Sequence, residues 1–242
     1  AGTITVNADI NLNSINDTVG QTISAGTGSL TFSGTTPTIT VGATAAITET
    51  ISAKITGASV ITKAGAGKLI LSGNNDYSGT TTLSAGTLAL GHNSALGLGK
   101  LVINPTTTLD ASAPSISISN PIDVAGNFTF AGTNDLAQTL GLITLKAAPT
   151  ITVSAGSLTL GGQVAGAFAL TKAGVGTLVL SNSGNTYSGL TTINDGTLSL
   201  GSSGALAGQV KLLGTASANP ILDLVSGTKS FASGLFISGT LN

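Results

Sequence analysis

The sequence contains no cysteine, tryptophan, methionine or arginine in its 242 residues. Without cysteine, no disulfide framework holds the chain together. Charged residues are also scarce, at 7% against about 25% in an average soluble protein. All eight basic residues are lysine, and the acidic set is eight Asp and the single Glu49. The net charge is −1 and the lysines are scattered. Nucleic-acid binding wants a basic patch and, for single strands, aromatic platforms; aromatics are only 3% here. Long helix formers such as Glu, Arg, Gln and Met are nearly missing, so helix propensity is poor throughout. No apolar run approaches the roughly 20 residues of a transmembrane helix. Ala1 opens in strand-like sequence without a signal-peptide pattern, which reads as a mature piece or a fragment.

What is abundant points the other way from disorder. Hydrophobic residues make up 41% and mean hydropathy is +0.46, enough to bury a core. Thr, Ile and Val favour a pleated surface. Apolar residues alternate in short runs, as in Leu69/Leu71, Leu88/Leu90, Leu101/Ile103, Phe128/Phe130, Ile151/Val153, Leu178/Leu180 and Leu198/Leu200. Each is an expected inward pair on a strand of period two. Gly, Asn, Ser and Thr fill the gaps between them.

The chain also repeats itself. Thr62-Lys-Ala-Gly-Ala-Gly-Lys-Leu-Ile-Leu-Ser72 returns as Thr171-Lys-Ala-Gly-Val-Gly-Thr-Leu-Val-Leu-Ser181. Asn75-Asp-Tyr-Ser-Gly79 returns as Asn185-Thr-Tyr-Ser-Gly189, and Gly86-Thr-Leu-Ala-Leu-Gly91 as Gly196-Thr-Leu-Ser-Leu-Gly201. Thr38-Ile-Thr-Val41 stands before the first copy as Thr150-Ile-Thr-Val153 stands before the second. The offset is 109 residues at Lys63/Lys172 and 110 at Tyr77/Tyr187. One residue is therefore inserted before the second Tyr, where a loop is expected.

Short strands, tandem repetition and Leu-x-Leu pairs about 19 or 20 residues apart favour a solenoid over a barrel. About 20 residues per coil gives roughly 12 coils, a rod on the order of 55–60 Å long. No charged or Pro-rich linker separates the copies, so residues 1–242 read as one elongated segment with two units of about 110 residues.

The repeated pattern, clearest over 60–91 and 169–201, resembles the autotransporter-associated β-strand repeat, also called the passenger-associated transport repeat. That repeat occurs in passenger domains of bacterial autotransporters and in very long surface proteins. The resemblance implies an all-β, right-handed parallel β-helix, exported across the outer membrane to the bacterial cell surface. It implies no enzymatic activity. A large bacterial surface protein can do without disulfides because a long solenoid core is adequate.

His92 is the only histidine, between Gly91 and Asn93, and reads as a surface-loop residue rather than a metal ligand or base. Asp76, Asp110, Asp123, Asp135, Asp195 and Asp223 stand far apart; stacked coils would be needed to bring Asp110 near Asp123 or Asp135. With no Arg for an anionic sugar and no Trp for a sugar ring, they read as turn residues. Neither an EF-hand loop nor a Gly-Gly-x-Gly-x-Asp array is present. The tracts Thr80–Thr82, Thr106–Thr108 and Thr191–Thr192 are too sparse for an ice-binding array and read as ladders on an exposed face. Lys63 and Lys172 lack the context of a phosphate-binding loop and read as solvated corner lysines. Gly65, Gly67, Gly174 and Gly176 would make tight corners. Tyr77 and Tyr187 would cover a coil or stack at a turn.

The expectation is a non-enzymatic surface scaffold without catalytic, cofactor or metal residues, extending or self-associating end to end through its coils. The alternative is an adhesin that recognises a host, a surface or a neighbouring cell through loops 91–100, 131–141 and 201–209. Few aromatics and few charges favour the scaffold.

Overall fold

In a computed structural model, residues 2–58, 60–201, 206, 208–213 and 218–224 are described, with the backbone of 235–238. The described chain is all strand, turn and irregular structure, without a helix. Strands of two to five residues stack in parallel as a β-solenoid with three faces. The first face is a sheet of 12 strands, one from each successive coil, running from Thr3–Val6 to Leu235–Ser238. The third is a sheet of 8 strands, from Ser14–Asp17 to Val164–Ala165. The second is divided into a sheet of 3 strands, Ile10–Leu12 to Lys54–Thr56, and one of 6, Ile116–Ile118 to Ile221–Asp223.

Register explains the sequence spacing. Leu69 pairs with Leu88 in the next coil, and Leu178 with Leu198. A parallel partner one coil on places like residue over like residue, so inward Leu stacks on inward Leu. Every Leu-x-Leu pair noted above is buried. The core is one continuous cluster running the length of the described coils. Its stabilisation comes from coil-on-coil contacts rather than from any one strand.

The two motif copies lie on different faces. Ile61–Ala64 is on the third face and Lys68–Leu71 on the first. Their counterparts, Leu170–Ala173 and Thr177–Leu180, are on the first and second. The preceding Thr-Ile-Thr-Val segments shift likewise, Thr38–Val41 to the third face and Thr150–Val153 to the first. The register chain Ile61, Thr81, Leu101, Ile122, Ile143, Val164 makes five turns. Six further residues carry the backbone over a corner to Leu170. The repeat thus spans five coils plus one face.

Candidate functional site

The corners of the repeated motif concentrate its unusual chemistry. On strand Ile61–Ala64, Ile61 and Lys63 point inward. Lys63 is fully buried, as is Lys172 at the equivalent position. Neither is the solvated corner lysine expected from sequence. A buried ammonium needs acceptors, and the corner supplies three. Lys63 Nζ donates to the carbonyls of Ala64 (2.9 Å), Gly65 (2.9 Å) and Ala85 (3.0 Å). Lys172 Nζ donates to Ala173 (2.9 Å), Gly174 (2.6 Å) and Asp195 (3.1 Å). The third acceptor belongs to the following coil, so each lysine clamps two stacked corners. Burial pushes both ammonium groups down to about 8; for Lys172 the charge of Asp195 opposes this.

Glycine makes the clamp possible. Gly65 and Gly174 have φ of 77° and 75°, which directs carbonyls toward the lysine. Gly86 lies over Gly65 in the next coil, where a Cβ would sit 2.4 Å from the Gly65 oxygen, and Gly196 lies likewise over Gly174. The motif reading of tight corners holds.

The second part of each copy replaces a strand. Tyr77 and Tyr187 are fully buried, and each hydroxyl meets a buried threonine, Thr81 at 2.6 Å and Thr191 at 2.7 Å. Asn75 accepts from Ile55 N–H in the coil below (2.8 Å) and donates to the Ala95 carbonyl in the coil above (2.7 Å). Asn185 accepts from Val164 N–H at 2.8 Å. The first such segment interrupts the second face; the second follows the last strand of the third face. Leu96 and Leu206, 110 residues apart, fill the core one coil later in each copy.

The remaining candidates disperse. Asp76 pairs with Lys54, Asp110 with Lys68 (2.9 Å) and Asp123 with Lys100 (2.7 Å). Asp110 also accepts from Thr133 N–H and Oγ1. Asp135 accepts from Ser157 N–H, Asp195 from Gly196 N–H and Asp223 from Ser199 Oγ. Among the described residues, no group of three or more His, Cys, Asp or Glu could hold a metal ion. His92 is half-buried, its Nδ1 accepting from Ser94 N–H.

The threonine tracts differ from their reading as exposed ladders. Their central or first members, Thr81, Thr107 and Thr191, are buried. The outward ladder is instead assembled across coils, from Thr87 to Thr108, Thr129 and Thr152. It borders a shallow groove of about 270 Å³.

The proposed binding loops are also part of the wall. Segment 91–100 buries Ala95 and Leu96, and 131–141 contains the strand Leu136–Gln138. Most of 201–209 lies outside the described residues. Sequence reasoning missed the buried polar residues Lys63, Lys172, Asn75, Asn185, Asn120 and Gln138. Lys63, Lys172, Asn75 and Asn185 carried a signal, since each recurs at a fixed place in both copies.

Comparison with known proteins agrees with this geometry. Residues 61–90 and 170–200 match the family described as Passenger-associated-transport-repeat. The chain carries two such repeats. A stretch of 78 residues, 31% of this chain, is 42% identical to the "Adhesin BmaC autotransporter" of Brucella suis biovar 1 (strain 1330). The match spans 2% of that relative's length. No solved structure matches the chain. Among the described residues, no helix is long and apolar enough to cross a membrane.

Proposed function

We propose that this solenoid with two passenger-associated transport repeats is a spacer in an exported bacterial surface protein, setting distance rather than binding or catalysing. The observation that carries the reading is the rotation of the repeats by one face. A repeated binding epitope gains avidity only when geometry lets its copies engage together. Here the outward residues of the two copies lie on different faces, and the residues that define the motif point inward. Lysine, tyrosine, asparagine and glycine of the motif are used to build corners and to fill the core. Continuation of the same coil stacking, within a longer chain or onto a second copy, belongs to this reading.

Electron microscopy of the purified segment, beside an adhesion assay with segment-coated beads, tests it. Rods about 55 Å long or their end-to-end filaments, on beads that retain no more cells than blocked beads, are the expected result. Specific retention of cells would overturn it and favour an adhesin. That second reading is supported by the partial identity with a protein named as an adhesin.

A further inference from the structure

We propose that Asp17 and Glu49 share one proton and form a latch that fastens the first coils to the solenoid and loosens when that proton leaves. Glu49 occupies an inward slot of strand Thr48–Ile51, where the next coil places Leu69. It is 1% exposed, and Asp17, at the end of strand Ser14–Asp17, is 3% exposed. Asp17 Oδ1 accepts the N–H groups of Val19 and Gly20, both at 3.0 Å. Glu49 Oε2 accepts the Gln21 N–H at 3.2 Å, so the two acids hold one corner from two coils. Their remaining oxygens, Asp17 Oδ2 and Glu49 Oε1, are buried without another partner. The two carboxyl groups lie within hydrogen-bonding reach of one another. Two bare carboxylates would repel there, whereas one proton satisfies both oxygens.

Among the described residues, no cation of the neighbouring strands answers them. Lys68, beside Glu49 in the next coil, is turned to Asp110, and Lys63 is spent on corner carbonyls. Lys54 pairs with Asp76, and Asp9 is held by Ser29. The acids line a mainly apolar cavity of about 300 Å³ with Ile4, Val6 and Ile10. Burial, then the hydrogen bond and charge of Asp17, push Glu49 up to about 8. Burial acts to raise Asp17 too, but its hydrogen bonds outweigh this and leave it below the ordinary range. The folded state therefore binds the Glu49 proton more tightly than the unfolded chain, whose Glu titrates near 4.5. The latch is complete below that value and is lost as pH rises to about 8.

Hydrogen exchange of the whole chain from pH 5 to 9, with Glu49→Gln and Glu49→Leu beside it, tests the latch. Protection at Val19, Gly20 and Gln21 is expected to fall by up to about tenfold per pH unit between 5 and 8. Protection at Ile122 and Ile143, in coils away from the acids and from both buried lysines, serves as the unaffected control. Glu49→Gln donates permanently to Asp17 and abolishes the slope. Glu49→Leu, following the Leu69 beside it, abolishes it as well. The same slope in either variant would overturn the proposal. So would calcium chloride added alone, if it restored full protection at pH 9, since the pair would then be a cation site.

Discussion

Residues 61–90 and 170–200 share one motif, bury the same positions of it, and place it on different faces of the solenoid. In the first copy the lysine clamp joins the third face to the first; in the second it joins the first to the second. The local structure is nonetheless the same. Both lysines bind three corner carbonyls, and both tyrosines bind a threonine four residues on. The motif therefore specifies a strand, a corner and a second strand, not a position around the axis. Three faces of similar width, each lined by Leu, Ile and Val, give the core no reason to prefer one.

The largest test of that equivalence removes one unit. Deleting residues 61–169 brings the second copy to the place of the first. If the faces are interchangeable, the variant folds as a shorter solenoid, about 25 Å shorter from five lost coils. Small-angle scattering and circular dichroism would measure this, and an unfolded product would break the comparison.

Next come the clamps. Lys63→Met or Lys172→Met keeps length but leaves three buried carbonyls unpaired. Each is expected to lose about 3–5 kcal/mol in urea unfolding, because an unpaired buried group costs roughly 1–3 kcal/mol. Equal losses support equivalent corners, and additive losses support their independence five coils apart. The lysines also leave a pH signature. Both are held down to about 8 against an ordinary 10.5. The unfolded chain binds those protons more tightly, so their contribution rises with pH between about 8 and 10.5. The double Met variant lacks this rise.

Tyr77→Phe and Tyr187→Phe should each cost about 1–2 kcal/mol by leaving a threonine hydroxyl unpaired. The smallest effect is expected from deleting Ser183, which restores the first copy's spacing. It is exposed in the turn before Tyr187, so its loss should cost under about 1 kcal/mol by thermal unfolding.

The inserted residue, the period-two strands and the recurring coil were all legible in the sequence, because alternation and repeat length are local properties. The clamps were not. A lysine beside glycines reads as exposed when only charge is weighed. Its burial depends on the carbonyls of the next coil's corner, Ala85 or Asp195, which sequence places more than twenty residues away. The latch was hidden for the same reason, since Asp17 and Glu49 are thirty-two positions apart.

The sequence by itself determined an all-β solenoid, the inward Leu-x-Leu pairs and the two motif copies, since side-chain alternation and tandem spacing suffice for these. Only the tertiary structure decided which face each copy occupies, which polar groups are buried and what satisfies them. Coil lengths drift between about 19 and 28 residues, so the phase around the axis accumulates along the chain and is fixed by stacking register alone.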